Sequence, residues 1–543
     1  MRVQERAAKQ MQSTTWAGAV PAFSRRDYAL GVALIAVFGA LTLPFLYRKG
    51  MGEPDSIAMA VATYQGVLSG NYLGEPLLYI PEGQPLYYGV FMLLQRFARL
   101  PVLQLIFSMN LLSWWCSAVG IGLLYLVSRF YSNRVPATIA AVFVACSPVV
   151  LEYSTYGHPV SVSISAWLAG ALFVLQAVRS LDNLRPRPAA LWFIGAFLTL
   201  TSAGLLRADV YPLYPGVALL AAIAARVRPL RAGVLALAAT VSALLASVVT
   251  AGLLVPAMTR AGGSNALERL WQIVMHFQRS IAVRDGLLEL VFAFGLPSAL
   301  LVAAALLVAL LRGRWQILVI LTVLVLPTWL FAAGNLQPAR RFLHPLYATA
   351  LLIPVLWHAA GFAKQSTASI AAICVSLLGT LLLPLAGRIA ETRNSPLLKS
   401  HTIFRSTRSV LHHHRLNQAY VDWAHARLPD VISSAPAHTL YAGSFGSRNF
   451  VLLEHCRRAE RIEILNLEQA PGSFLTHFTA GSKLFYTSEI VGVPASSIPN
   501  HDYPAIYLME RGLADSKAQI AGEPGLLLPE NSAVAFKMYY SNR

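Results

Sequence analysis

Charge is scarce in this chain. Only 13% of its 543 residues are Asp, Glu, Lys or Arg, about half the share of a water-soluble protein. With 56% of residues hydrophobic, an ordinary soluble enzyme is excluded as a description of the whole. Acids are scarcer still, 25 against 43 Lys and Arg, for a net charge of +18. There are only four cysteines: Cys116, Cys146 and Cys374 lie inside apolar runs and Cys456 is alone in the tail. No pair has metal-ligand spacing, and no disulfide framework can be argued. No internal repeat is evident. The first apolar run is not expected to be a cleavable signal, because a long basic arm precedes it and no small-residue cleavage site follows it.

What the chain has is apolar length. Runs of about 18 residues or more recur, enough to cross a hydrocarbon core roughly 30 Å thick. Backbone groups in lipid must be satisfied within the segment, so the runs are helices. The fold class is a polytopic α-helical membrane protein. Spans are expected near 28–47, 101–129, 136–152, 159–179, 190–206, 211–226, 231–257, 286–311, 315–333, 343–361 and 366–387, about 11 in all. The run 211–226 is short enough to be tilted or re-entrant. Segment 85–98 is too short to span and reads as interfacial.

Basic residues in short loops set the orientation. The arm 1–27 carries Arg2, Arg6, Lys9, Arg25 and Arg26. The alternate gaps hold Arg129 and Arg134, then Arg179, Arg185 and Arg187, then Arg226, Arg228 and Arg231, then Arg312 and Arg314, then Lys364. If every run crosses, all of these lie on one side, the cytoplasm. Net charge is therefore mostly topology. Positives scattered over short loops make no nucleic-acid face.

The opposite face collects Glu53 and Asp55, then Glu152, Tyr153, Tyr156 and His158, then Arg207, Asp209 and Tyr211, then Gln337, Arg340, Arg341 and His344. Arginines there run against the charge bias and call for a reason. One reason is an anionic ligand. The plainer one is that Arg207 pairs with Asp209 while Arg340 and Arg341 reach to headgroups.

The loop 48–100 opens with Met51-Gly-Glu-Pro-Asp-Ser56, so Glu53 and Asp55 stand just past the first span. Ile57, Val61, Tyr64 and Leu68 follow at helical spacing, and Gly70-Asn71-Tyr72 ends that stretch. A second apolar stretch begins at Gln84-Pro-Leu-Tyr-Tyr88. Both read as interfacial helices on the outer leaflet. Asp55 suits a helix N-cap, a role compatible with chemistry. Tyr87 and Tyr88 suit interface anchors.

From 388 to 543 the composition is that of a soluble domain. Short β-rich runs at Thr439–Ala442, Ile462–Leu465, Lys483–Tyr486 and Ala505–Leu508 alternate with helical stretches such as Asn449–Ala459, predicting a small α/β domain. An odd number of spans puts it outside the cytoplasm. Ala442-Gly-Ser-Phe-Gly446 lacks the third glycine and the lysine of a phosphate loop, and the run His412–His414 reads as a solvated patch.

Asp55, Gly70-Asn71-Tyr72 and Pro85-Leu86-Tyr87-Tyr88 occur in an order that resembles the GT-C superfamily of integral-membrane glycosyltransferases. The resemblance is nearest to the bacterial branch containing the lipid A aminoarabinose transferase and its protein O-mannosyltransferase relatives. Pro54-Asp55 is also similar to the His-Pro-Asp-Glu motif of GPI mannosyltransferases. Arg207-Ala-Asp209 and Arg341-Phe-Leu-His-Pro345 resemble positions where a basic residue starts a returning span. Ser56 stands where the second acid of an Asp-Glu pair would be, and Gln84 where the first proline of a Pro-Pro pair would be. The resemblance covers residues 28–387.

It implies a polyprenyl-phosphate sugar as donor, a glycan, lipid or protein acceptor, and a bacterial cytoplasmic-membrane location with the tail domain periplasmic. Asp55 would be the base, with Glu53 as the open alternative. Arg207, Arg340 and Arg341 would hold the donor phosphate, and Tyr87, Tyr88, Glu152, His158, Asp209 and His344 would line the site. No cofactor is required and no metal site is assigned, although Glu53 and Asp55 together can hold a divalent ion. Two other classes fit the helices: a transporter or flippase for a lipid-linked or anionic substrate, and a noncatalytic glycan-binding scaffold. Transporters commonly show paired repeats and midplane charges; here the charges sit at span ends.

Overall fold

The computed structural model describes residues 23–46, parts of 59–67, 85–225, 228–258, 283–333, 342–360, most of 371–379, and five strands between 439 and 542. The first helix, α1 (Arg25–Thr42), is started by a capping box: Ser24 and Asp27 exchange hydrogen bonds across its first turn. After α2 (Pro85–Ala98) comes α3 (Val102–Arg129), 28 residues long. Two contacts fix α1 against α3. Arg129 donates to Asp27 at 3.0 Å, and Trp114 donates to Thr42 at 3.0 Å. The sequence separations run in opposite directions, so the two helices are antiparallel. Gly122 allows the close approach, since a Cβ there would meet Ile35 at 2.5 Å and the Gly31 carbonyl at 2.9 Å. Small residues serve this purpose between membrane helices.

Proline starts many of the later helices. α5 (Pro148–Tyr153), α6 (Pro159–Asp182), α7 (Pro186–Leu206) and α9 (Pro229–Met258) each begin on one. At this position the missing N–H costs no hydrogen bond and the fixed φ is already helical. The same rule corrects one expected span. Run 136–152 is two helices, α4 (Arg134–Ala145) and α5, because Pro148 holds Ser147 extended at ψ 128°. Run 286–311 is likewise split into α10 (Val283–Phe294) and α11 (Leu296–Leu311) by Gly295, whose φ of 76° only glycine adopts cheaply. Run 211–226 is a 3₁₀ turn, Ala208–Leu213, running into α8 (Tyr214–Ala224). α12 (Gln316–Ala333) contains a π turn at Leu321–Val325, and α13 is Leu343–Ala359.

Among the described residues, 5 helices are long and apolar enough to cross a membrane: α3, α6, α7, Pro229–Leu254 of α9, and α12. Among the described residues four shorter apolar helices accompany them, and α1 carries three charges in its first turn. α3, α6 and α13 form the middle of the bundle, around the fully buried Tyr125 and Trp167. α9 is the opposite case. Leu230, Val234, Leu245, Val249 and Leu253 are exposed along it, an apolar outer surface suited to lipid.

One end of the bundle is tied by a buried charge node. Asp27 is inaccessible to solvent and accepts from Arg129 at 3.0 Å, Arg134 at 2.8 Å and the Ser24 N–H at 2.7 Å. Burial alone would raise the Asp27 pKa; hydrogen bonds from Arg134, the Ser24 backbone and Arg129 outweigh it and hold the carboxyl well below its usual range. The Phe23 ring lies between the Arg129 and Arg179 guanidinium groups, 5.8 and 5.7 Å from its centroid.

The tail forms one five-stranded sheet of β1 (Thr439–Gly443), β2 (Glu463–Asn466), β3 (Lys483–Thr487), β4 (Ala505–Gly512) and β5 (Ala535–Asn542). The order is β2-β1-β3-β4-β5. Pairing is parallel except for β5, which runs antiparallel beside β4. Four strands match the β-rich runs read from the sequence, and β5 is an addition. Parallel neighbours require long crossovers, which the intervening stretches are long enough to supply. Asn449–Ala459 and His412–His414 fall outside the described residues.

Candidate active site opposite the Asp27 node

α6 starts at the end of the bundle away from Asp27 and α7 finishes there. The fold makes this unavoidable: α6 ends at the node, where Gln176 donates to Tyr28 and Arg179 faces Phe23, so its beginning is remote. His158 caps that beginning, its Nδ1 accepting from the Val160 N–H at 3.3 Å. Arg207 occupies the C-cap of α7, in an extended conformation that turns the chain into the 208–213 segment. The two meet. Arg207 Nη1 lies 3.1 Å from His158 Nε2 and 3.4 Å from Nδ1. Arg207 Nε and Nη2 both reach Asp209 Oδ2, at 2.5 Å. The plain expectation that Arg207 pairs with Asp209 is therefore met, with His158 added.

This group is sunk in the protein. Arg207 is 6% exposed and His158 3%. A guanidinium carries five N–H donors, and three are engaged by Asp209 and His158. Among the described residues the other two, one on each terminal nitrogen, meet no acceptor. They can hold one oxygen of an anion while the Asp209 pair keeps the group in place.

α3 supplies the floor. Asn110 Oδ1 accepts from the Gly157 N–H at 2.7 Å, and the Ser113 hydroxyl donates to the His158 carbonyl at 2.9 Å. A Cβ at Gly157 would stand 2.6 Å from Met109 and 2.8 Å from Asn110 Oδ1, so the Gly157-His158 turn is pressed onto α3. Sequence reasoning missed Asn110 and Ser113. Their signal was a polar pair three apart inside an apolar run, hard to tell from ordinary small-polar packing between membrane helices.

The aromatic pair belongs to the same neighbourhood. Tyr87 and Tyr88 are buried on α2, the Tyr87 hydroxyl beside Ser113 and the Tyr88 hydroxyl beside Thr63, without hydrogen-bond geometry in either pair. Both are thus core side chains and not exposed anchors. The Tyr87 hydroxyl, beside the Ser113 that bonds the His158 carbonyl, is suited to donate to an oxygen of a bound molecule. His344 is buried on the first turn of α13, which packs against the 208–213 segment together with α12. Glu152 lies on α5, and nothing further is described of its side chain. Glu53, Asp55, Arg340 and Arg341 fall outside the described residues.

The arrangement is that of a polytopic helical membrane protein followed by a C-terminal sheet domain. It is similar to the crystal structure of ArnT from Cupriavidus metallidurans bound to undecaprenyl phosphate. The TM-score is 0.52 at 15% identity, over 94% of this chain and 97% of that one. The same protein in the apo state gives a TM-score of 0.48 at 14% identity over the same shares. The similarity is one of fold. No protein-family model and no curated protein matches the chain.

Proposed function

We propose that this chain is a membrane glycosyltransferase that moves a sugar from a polyprenyl-phosphate donor to an acceptor hydroxyl. The reaction runs at the outer face of the bacterial cytoplasmic membrane, in the synthesis of cell-envelope glycan or glycoprotein. The carrying observation is Arg207. It is a buried guanidinium at the end of a span, held by Asp209 and His158, with two N–H donors that meet no acceptor among the described residues. Shared fold with a protein whose structure holds undecaprenyl phosphate supports the same donor class. The basic residues of the short loops support an orientation with the Asp27 node in the cytoplasm and Arg207 outside.

In this reading Asp55 takes the proton of the acceptor hydroxyl as general base, with Glu53 the alternative. The acceptor oxygen bonds to the anomeric carbon from the face opposite the phosphate. The bond from that carbon to the phosphate oxygen breaks, and configuration inverts. The electron pair leaves on a phosphate already stable as an anion, so no acid is needed. Arg207, with Arg340 and Arg341, holds the developing charge. Tyr87 and Tyr88 donate to sugar or phosphate oxygens, and His344 and Glu152 complete the wall. The chemistry requires no cofactor.

The test is transfer of labelled sugar from polyprenyl phosphate to an acceptor by purified protein. Loss of transfer in Asp55→Asn or Glu53→Gln, with folding intact, identifies the base. If both leave transfer unchanged, the assignment fails. If the wild type carries lipid-linked substrate across a vesicle without forming a glycosidic bond, the protein is a transporter.

A further inference from the structure

Helix α2 ends on a strained arginine. Arg99 has φ 47°, a left-handed conformation in which helices usually place glycine or asparagine. The surroundings enforce it. The Arg99 N–H donates to the Gln95 carbonyl at 2.9 Å, and the Gln95 side-chain amide, itself 1% exposed, donates to the Leu100 carbonyl at 2.9 Å. Pro101 then keeps Leu100 out of the helical region. Glycine would make this corner without strain, so the arginine is there for what its side chain presents.

Three observations say what that is. Arg99 and Arg96 are both exposed at this end of α2. The outward side of the same helix is apolar, with Val90, Leu93, Leu94 and Phe97 exposed, the last at 82%. The depth also fits. α3 starts directly after the corner and runs 28 residues to Arg129 in the Asp27 node, about 40 Å at about 1.5 Å per residue. A bilayer with its headgroup layers measures roughly 40–45 Å. With Arg129 in one headgroup layer, Arg99 falls in the other.

We propose that this corner is a docking surface for anionic phospholipid of the outer leaflet. Arg99 takes the phosphate, which a guanidinium matches in both charge and geometry, and Arg96 adds positive charge at the same end of α2. Val90, Leu93, Leu94 and Phe97 lie along the acyl chain. The surface is separate from the Arg207 site: Ser113, on that site's floor, is about 16 Å along α3 from Val102. The docking surface rests on the orientation that puts Arg207 outside, and it is independent of the transfer reaction.

The experiment places full-length protein in phosphatidylcholine nanodiscs containing phosphatidylglycerol and measures the lipid retained on the protein by native mass spectrometry. Wild type is expected to enrich phosphatidylglycerol over phosphatidylcholine. Arg99→Gly, which relieves the backbone strain and so keeps its unfolding temperature, should lower that enrichment about fivefold. Arg96→Gln should act in the same direction, and Arg99→Lys should keep most of the preference. The proposal is overturned if wild type shows no preference, if the Arg96→Gln/Arg99→Gly double variant keeps it, or if the retained anion is polyprenyl phosphate alone. None of these readouts needs a working transferase, so a failure here leaves the glycosyltransferase reading intact, and the reverse also holds.

Discussion

Two arginine–aspartate assemblies occupy opposite ends of the bundle, and they are built for different ends. In the Asp27 node one inaccessible carboxylate accepts from two arginines, a serine cap and the Tyr125 hydroxyl. Arg129 is itself only 1% exposed. Every group there answers another group of the protein, and the product is a fixed crossing of α1, α3 and α4. At the other end one arginine grips a single oxygen of a carboxylate, leans on an imidazole and keeps donors in reserve. The lesson is that a buried ion pair at a span end must be read by its donor count. A saturated pair is a tie, and an unsaturated one is a socket.

The largest effect should come from the tie. Asp27→Ala leaves Arg129 buried without its carboxylate, and breaking a buried pair costs about 3–5 kcal/mol. A marked fall in the unfolding temperature of the detergent-solubilised protein is expected, with transfer falling only as folded protein is lost. The node also gives a pH dependence. The Asp27 carboxyl is depressed in the folded state, so its contribution to stability is present above the unfolded-state value of about 3.9. It is lost as pH falls below that toward the folded value. Acid unfolding measured below about pH 4 should therefore flatten in Asp27→Asn. If Asp27→Ala unfolds like wild type, the contrast between the two ends collapses.

Arg207→Ala tests the other side. Removing one donor aimed at developing charge typically costs about 10²–10³ in rate, and that loss is expected in transfer while the unfolding temperature moves less than for Asp27→Ala. Arg207→Lys should recover little, because an ammonium cannot hold Asp209 and a phosphate in the same fork. Equal stability losses at the two ends, with transfer unaffected per folded molecule, would make Arg207 another tie.

Much of this was legible in the chain. Apolar run lengths located the helices, and the arginines standing against the charge rule marked Arg207. Helix breaks were harder. Pro148 was visible, but the apolar run around it is continuous, and only the extended Ser147 shows that the chain stops there. Gly295 is the same case, since one glycine in an apolar run also fits an unbroken helix. The floor of the site was not legible at all. Asn110 and Ser113 act by meeting a turn 47 and 45 residues further on, and no local pattern announces a partner at that separation. Tyr87 and Tyr88 were placed at the interface on residue type, whereas the fold buries both.

Smaller effects should come from that floor, and they sharpen the comparison most. Asn110→Ala strips the acceptor from the buried Gly157 N–H, at a cost of about 1–3 kcal/mol. Ser113→Ala removes one donor to the His158 carbonyl, worth about 1 kcal/mol; that carbonyl keeps a second lone pair for other partners. Both residues bond the Gly157-His158 backbone. If the socket depends on how His158 is held, Ser113→Ala should weaken donor binding, seen as a raised KM for the polyprenyl-phosphate sugar, with kcat close to wild type. Ser113→Thr keeps the hydroxyl and should restore the lower KM. A purely structural Ser113 would instead lower the unfolding temperature in the alanine variant and leave KM alone. Because Tyr87 also lies beside Ser113, a Tyr87→Phe/Ser113→Ala double variant separates the two routes. Additive losses in KM place them on separate substrate contacts, while a double no worse than either single makes them one wall of the same socket.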